Sequence, residues 1–496
     1  MDTANFGQPY YALGNLLHVI GHFEEAATCY RDAIAAAPPA ALQALAWYNL
    51  GVTRMRQDRP AEARDAYLQA LSLEPDYSEA SNNLGTVLLA LGEPEKAELA
   101  WREALRLRPG WVDPLYNLGI VYEKRGELDL ACESYQAVLS INPEHWEARM
   151  NLGNTALALG RPGEAFERYR EALEHQPENA DLHANMALLR LLTGDFPAGW
   201  EEYEWRWRRP KAVVRSFHRP DAMTSEIPVW DGSALHGRRI LLHTEQGFGD
   251  TIQFIRYAAA VKSMGGEVIL ECKPALERLL STAPGVDQVI VRDQPMALFD
   301  VHAPLLSLPR ILGTTLATIP ANVPYLTPRP DLVSKLADLT AAAAGGRLKV
   351  GLVWAANSQN PTSLYRSLPL ALAEELASNP DVAFFNLQKG SAAFIPLDEH
   401  PGDFAETAAA IANLDLVISV DTAVAHLAGA LGRPVWTLLP FVPDWRWLLD
   451  REDSPWYPTM RLFRQPRRGD WPAVIRRVKL ALESHVHDFR GAHPGH

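Results

Sequence analysis

Apolar and small residues recur at a fixed interval through the first two hundred positions. The interval is 34 residues, and glycine, alanine, aromatic and proline positions all share it. The phased positions are Gly51, Gly85, Gly119 and Gly153, continued by Ala187; Ala63, Ala97, Ala131 and Ala165; Tyr67, Trp101, Tyr135, Tyr169 and Tyr203; and Pro75, Pro109, Pro143 and Pro177. Such a period predicts helix pairs that stack into an α-solenoid with a concave face over residues 7–209.

The last copy of this pattern, from Ala180 to Arg209, is degenerate. It is rich in tryptophan, at Trp200, Trp205 and Trp207. We expect this copy to cap the solenoid and to dock on the region that follows.

The pattern changes after a linker over residues 210–237. Strand-like apolar runs then alternate with helical patterns, first over 238–330 and again over 347–470. A terminal helix over 471–488 and a tail over 489–496 complete the chain. This alternation predicts two Rossmann-like α/β domains with a cleft between them.

The stretch from Leu414 to Leu439 reads as strand, turn, helix, turn, strand. Asp421 ends the first apolar run, and its carboxylate is expected to cap the following helix. A helix N-terminus after a strand presents free backbone N–H groups that bind phosphate. The chain lacks G-x-G-x-x-G and Walker A motifs, which disfavours a nicotinamide dinucleotide and an ATPase.

A second turn, GFGD, follows the first strand of the earlier α/β set. Gly247 and Gly249 lie in the turn, and Asp250 begins the next helix. One interpretation is structural, because Asp250 and Gln253 form a capping-box pattern. The other is that Asp250 is a general base that removes a proton from an attacking hydroxyl.

Two cations precede the Asp421 turn. Arg366 and Lys389, the latter next to Gln388, lie near predicted strand ends and could neutralise a leaving diphosphate, or could be surface charges. No two aspartates are separated by one residue, so a DxD-type metal clamp is absent and we expect no metal and no cofactor.

An asparagine also repeats every 34 residues; in the tetratricopeptide repeat, which the 34-residue pattern resembles, this position lies on or near the concave face. A side-chain amide both donates and accepts hydrogen bonds, which suits an extended peptide backbone. Bonding within the repeats themselves is an equally good explanation. The residues are Asn49, Asn83, Asn117, Asn151 and Asn185.

Charge and composition narrow the partners. The 496 residues carry a net charge of −13, and residues 1–200 hold 28 acidic against 16 basic residues. An acidic front half is a poor nucleic-acid binder. Three dispersed cysteines, no visible signal peptide and no apolar run of membrane-spanning length lead us to expect a cytoplasmic protein.

These motifs resemble known families. The 34-residue pattern resembles the tetratricopeptide repeat. GFGD together with DTAVAHLAGALGRP, from Asp421 to Pro434, resembles the GT-B fold of heptosyltransferase-like glycosyltransferases (family 9). The resemblance implies Asp250 as catalytic carboxylate, and Asp421, Thr422 and His426 as donor ligands. Gly247, Gly249 and Ala423, in the same two turns, are further candidates for the donor-binding site. Ala423 stands where that family usually has glycine, and Ser367 where it has an aromatic.

The whole chain is similar to bacterial tetratricopeptide-repeat glycosyltransferases and, in architecture, to O-GlcNAc transferases. This implies a metal-independent inverting glycosyltransferase with a nucleotide-sugar donor. Its repeats would recruit a protein acceptor for O-glycosylation, for example a flagellin. Two alternatives remain: transfer to a surface glycan, and a repeat scaffold with a catalytically inactive nucleotide-binding unit.

Overall fold

The computed structural model describes residues 7–36, 39–209, 227–295, 297–356, 363–388, 394–396 and 403–492. The chain divides into two compact units, Met1–Asn179 and Ala180–His496. Over the described positions, every helix is too short or too polar to cross a membrane.

The first unit consists of five helix pairs. In three of the pairs the second helix begins with a proline, at Pro60, Pro94 and Pro162. The first N–H of a helix has no intrahelical acceptor, so proline costs no hydrogen bond there. The helices are α1 Gly7–Val19, α2 Phe23–Ala35, α3 Ala40–Arg56, α4 Pro60–Leu73, α5 Ser78–Ala90, α6 Pro94–Leu107, α7 Val112–Arg125, α8 Leu128–Ile141, α9 Trp146–Ala158 and α10 Pro162–His175.

The phased glycines and aromatics pack on each other within each pair. A Cβ atom on Gly51 would lie 2.6 Å from the ring of Tyr67, and one on Gly119 would lie 2.5 Å from the ring of Tyr135. Real Cβ contacts are not this short, so only glycine allows the two helices to approach this closely. The period in the sequence is therefore a period of ring-on-glycine contacts.

The last repeat belongs to the second unit. It comprises α11 Ala180–Leu192, α12 Phe196–Tyr203 and a 3-10 turn Glu204–Arg208. The Trp200 indole donates to the carbonyl of Thr314 at 3.0 Å and packs edge-on against Trp445. This confirms the expectation that the degenerate copy docks on the α/β region.

The first α/β segment holds a four-stranded parallel sheet in the order β3-β2-β1-β4. The strands are β1 Arg239–His243, β2 Glu267–Cys272, β3 Gln288–Val291 and β4 Val301–Pro304. The helices are α13 Phe248–Phe254, α14 Ala258–Ser263, α15 Glu277–Leu280 and α16 Leu308–Ile311.

The second α/β segment holds a five-stranded parallel sheet in the order β6-β5-β7-β8-β9. The strands are β5 Leu348–Val353, β6 Val382–Asn386, β7 Leu416–Val420, β8 Val435–Leu439 and β9 Met460–Arg464. The helices are α17 Pro330–Ala344, α18 Ser363–Arg366, α19 Leu370–Leu376, α20 Phe404–Ala412, α21 Ala423–Ala430 and α22 Trp471–Ala492. Residues of α22, including Val474 and Val478, share one buried cluster with β5 and β7.

The predicted architecture, an α-solenoid followed by an α/β region, is confirmed. Both sheets have a point where successive strands are added on opposite sides, between β1 and β4 and between β5 and β7. Ligands of open parallel sheets bind beyond the carboxyl ends of strands at such points. Ligand binding is therefore expected at the loops after β1 and β7.

Candidate functional site

The turn after β7 keeps a free helix N-terminus. The N-cap of α21 is Thr422, whose side chain does not bond to the helix backbone but lies 3.0 Å from Ser419 Oγ. The prediction that Asp421 caps the helix is wrong, because the helix starts one residue later and the Asp421 carboxylate is used elsewhere. The backbone N–H groups of Ala423 and Val424, the first two residues of α21, have no intrahelical acceptor, so this turn can bind an anion.

Asp421 is a buried carboxylate with a cation beside it. Its Oδ2 lies 3.4 Å from Nη1 of Arg366, the last residue of α18. Burial, reinforced by the negative charge of Asp444, raises the pKa of Asp421 to about 6, although Arg366 and Arg446 oppose that shift. Asp421 therefore keeps its proton to a higher pH than an exposed aspartate does.

His426 lies one turn into α21 and is also buried. Its Nδ1 shares a 3.0 Å hydrogen bond with the Tyr457 hydroxyl, and its ring stacks on Trp447. Burial, with Arg446 and Arg256 nearby, lowers the pKa of His426 well below the ordinary value. The imidazole is therefore neutral at pH 7, and its Nε2 lies 4.0 Å from Asp421 Oδ1.

Asp250 occupies the third position of α13, and Gly247 is the N-cap. Its Oδ2 accepts the Gly247 N–H at 2.7 Å, and its Oδ1 accepts from Arg446 Nη2 at 2.5 Å. The predicted capping box of Asp250 with Gln253 is wrong, because Asp250 lies inside the helix and Gln253 Oε1 accepts from Arg446 Nε at 2.5 Å. Each carboxylate oxygen has two lone pairs, so Asp250 can still accept another proton donor.

The two turns are in direct contact. A Cβ on Gly249 would lie 2.9 Å from His426 Cδ2 and 3.5 Å from Ala423 Cα. Glycine at 249 and a small residue at 423 are what allow this approach. The GFGD turn and the Asp421 turn, whose aspartates are 171 residues apart in sequence, thus lie against each other.

Of the two remaining residues predicted to bind the sugar donor, the structure describes Gln388 but not Lys389. Gln388 lies after β6, and its Oε1 accepts the backbone N–H of Ala355, beyond β5, at 3.0 Å. Lys389 lies outside the described residues. Ser367, the position without the family's aromatic, accepts the Ala356 N–H at 3.0 Å.

Three of the repeated asparagines bond to a tyrosine of the preceding repeat. The Nδ2 of Asn49 donates to Tyr11 Oη, that of Asn83 to Tyr48 Oη and that of Asn151 to Tyr116 Oη, at 3.0–3.1 Å. All five, Asn117 and Asn185 included, are partly exposed. The asparagines thus have a role inside the solenoid, and Asn49 uses both of its N–H groups there, since its Nδ2 also donates to Asn15 Oδ1 at 2.9 Å.

Two buried arginines next to the site were missed. Arg446 contacts Asp250, Gln253 and Asp444. Arg206 forms two parallel bonds to Glu245, five residues before Asp250. The sequence does offer a signal for Arg446, since an arginine between two tryptophans in PDWRWLL, at 443–449, is a charged residue flanked on both sides by large apolar side chains.

Comparison with known proteins gives two family matches. Residues 11–71, 48–114, 116–180 and 152–204 match the tetratricopeptide repeat. Residues 401–440 match glycosyltransferase family 9 (heptosyltransferase).

Protein FlbA of Caulobacter vibrioides is 29% identical over 332 residues, which are 60% of this chain and 54% of that protein. The chain thus spans about half the length of this curated relative. Similar solved structures include MamA (27% identity, TM-score 0.33, 35% of this chain and 94% of that chain). YrrB, titled a TPR protein with an unusual peptide-binding site, is 27% identical with a TM-score of 0.33, and the match covers 36% of this chain and 89% of that chain.

One family match lies in the repeat part of the chain and the other lies in the α/β part. The match in the α/β part, over residues 401–440, includes the whole Asp421 turn and α21. The chain therefore carries tetratricopeptide repeats over residues 11–204, followed by an α/β region in which residues 401–440 match glycosyltransferase family 9.

Proposed function

We propose that the α/β region is a metal-independent, inverting glycosyltransferase with a nucleotide-sugar donor, and that the repeats recruit a protein acceptor for O-glycosylation. The observation that carries this proposal is the contact of Gly249 with His426 and Ala423. It joins a carboxylate turn and a phosphate-type turn, each beyond the carboxyl end of a parallel sheet. The family 9 match over the second turn supports the same reaction class.

The N-terminus of α21 would hold the donor diphosphate. The backbone N–H groups of its first turn and the Thr422 hydroxyl supply donors, and the helix dipole favours negative charge there. Arg366, whose side chain is 25% exposed, supplies a cation that a ligand can reach. Lys389 and Gln388 complete the proposed donor set. These groups stabilise the departing nucleotide without a metal ion.

Asp250 would act as the base. As the acceptor hydroxyl attacks, a bond forms between its oxygen and the anomeric carbon. The bond from that carbon to the diphosphate oxygen breaks, and the hydroxyl proton passes to the carboxylate. A single displacement from the face opposite the leaving group inverts the anomeric centre.

The repeats would deliver the acceptor. The concave amides of Asn49, Asn83, Asn117, Asn151 and Asn185 can each pair with a peptide backbone group regardless of the peptide's side chains. The acidic surface of residues 1–200 favours a neutral or basic segment over nucleic acid.

Thermal unfolding with a panel of nucleotide sugars tests the donor site, because a ligand that binds only the folded state raises the melting temperature. Any donor that shifts the transition is then assayed for sugar transfer to candidate acceptor proteins and to surface glycans. Asp250→Asn should reduce transfer by about 100-fold or more. Asp453→Asn is the control, since Asp453 is exposed and pairs with Arg451.

The outcomes separate the alternatives. Nucleotide binding without transfer would favour the inactive scaffold. Transfer to glycans alone would favour a surface-glycan enzyme. Full activity of a folded Asp250→Asn variant would rule out the assignment of the base.

A further inference from the structure

Arg446 lies in a turn whose backbone carbonyls are hydrogen-bonded by a second arginine, Arg464. The 3-10 segment Trp445–Trp447 lies between β8 and β9, and Leu448 follows it with φ at 53°, a left-handed conformation that a bulky residue rarely adopts. Arg464 holds this backbone by donating to the carbonyls of Trp447, at 2.5 Å, and Leu448, at 2.9 Å. These two hydrogen bonds thus fix the backbone from which the Arg446 side chain extends.

The guanidinium of Arg446 is buried, and each of its three nitrogens donates a hydrogen bond. Nη2 donates to Asp250 Oδ1 and Nε to Gln253 Oε1, both at 2.5 Å, and Nη1 donates to Asp444 Oδ1 at 2.9 Å. The donors of a guanidinium are fixed in one plane, so these bonds set the direction of each partner. Two partners lie on α13 and the third lies on the arginine's own turn, which ties the first α/β segment to the second.

These contacts determine where the Asp250 carboxylate points. One oxygen accepts from Arg446, and the other accepts from the Gly247 backbone N–H at 2.7 Å. With both oxygens held, rotation of the carboxylate is prevented. The next residue on the N-terminal side, Gly249, lies against the start of α21.

We infer that Arg446 is a positioning residue for the proposed transfer: it fixes the Asp250 carboxylate beside the N-terminus of α21, where acceptor hydroxyl and donor would meet. This inference rests on the proposed function. We assign Arg446 to Asp250 and not to the leaving nucleotide, because its side chain is only 8% exposed and each of its three nitrogens already donates to Asp250, Gln253 or Asp444.

A double-mutant cycle on the full chain tests this role, with the donor that passes the binding panel. Arg446→Gln should lower kcat about 10- to 100-fold through misplacement of the base, with the donor KM within about twofold. Arg446→Lys keeps one charged donor and should recover part of the rate. In the Asp250→Asn background, Arg446→Gln should change the rate by less than about twofold, because residues that act as a unit are not additive.

Arg451→Gln is the matched control, since Arg451 lies in the same loop and pairs with the exposed Asp453. It should leave kcat and KM unchanged. Equal losses from Arg446→Gln in both backgrounds would overturn the inference, as would a rise in KM alone or no recovery by lysine. A wild-type protein inactive with every donor would instead overturn the proposed function itself, so the two failures are distinguishable.

Discussion

At the scale of single residues, a buried carboxylate and a neutral imidazole lie side by side after β7. Burial acts in opposite directions on their pKa values, raising that of Asp421 to about 6 and lowering that of His426. Both shifts disfavour the charged form. The site therefore carries less charge at mildly acidic pH than its composition suggests.

The raised pKa of Asp421 has a consequence for stability. Its unfolded pKa is about 3.9, so the unfolded state releases the proton first and stability falls as pH rises from the unfolded value through about 6. Relative to wild type, Asp421→Asn should therefore gain about 2 kcal/mol in unfolding free energy between about pH 4.5 and pH 7.5. Denaturant titrations at the two pH values measure this difference.

Asp453→Asn is a control of opposite sign, because the Arg451 side chain lowers the pKa of Asp453. Removal of the Asp453 carboxylate should therefore lower the free energy of unfolding slightly more at the higher pH. A pH-independent difference between Asp421→Asn and wild type would show that Asp421 titrates normally.

Sequence motifs located Asp250, Asp421 and His426 but not their partners. Arg446 is 196 residues from Asp250, and Arg366 is 55 from Asp421. Which cation meets which carboxylate depends on how two sheets and their loops pack, and no local pattern encodes that. The capping predictions failed for a related reason, since helix starts shift by one to three residues with tertiary context.

At the scale of elements, the last repeat is joined to the loop after β1 by a buried ion-pair network. Arg206 Nε and Nη2 bond to the two oxygens of Glu245 at 2.8 and 3.0 Å, and Nη2 also donates to Ser307 at 2.7 Å. Tyr203 Oη accepts from the next residue, Gln246, at 2.9 Å. The segment that leads into the Gly247 turn is thus held by a repeat helix.

Arg206→Gln should destabilise the second unit by about 3–5 kcal/mol, because it leaves the buried Glu245 carboxylate without its counter-charge. Arg209→Gln is the matched control: its pair with Asp181 is about half exposed and should contribute less than about 1 kcal/mol. Thermal and urea unfolding of the full chain compare the two variants. Similar losses from both would contradict a structural role for the buried pair.

At the scale of the whole molecule, the repeat pattern and the compact units end at different residues. The 34-residue period reaches Tyr203, whereas the first unit ends at Asn179. Phe196, Trp200 and Trp445 form one aromatic cluster within the second unit. Periodicity reports sequence equivalence, so the period alone predicts the solenoid; the tryptophans of the degenerate last copy, not its period, indicated that this copy packs with the α/β region.

This division predicts how fragments behave. A fragment of residues 180–496 should fold and unfold cooperatively, because it keeps the aromatic cluster and the Arg206 network. A fragment of residues 210–496 would expose the apolar surface of Phe254, Trp445 and Trp456 and should aggregate. Circular dichroism melts and size-exclusion chromatography distinguish the two. A stable, monomeric shorter fragment would show that the last repeat is dispensable for folding.

The tyrosine–asparagine bonds between repeats also bear on how the solenoid comes apart. Asn83 and Asn151 each donate to a tyrosine 35 residues earlier, but the equivalent position before Asn117 is Asn82. In a linear array, each junction contributes its own nearest-neighbour energy. The junction of α5 and α6 with α7 and α8 lacks this bond and is held instead by the Glu98 carboxylate of α6, which accepts from the Tyr122 hydroxyl at 3.1 Å and from Arg125 Nη1 at 2.6 Å. Salt screens ion pairs. We therefore expect this joint to weaken as ionic strength rises, so that at high salt fraying under force or denaturant begins there and divides the array into two cooperative blocks.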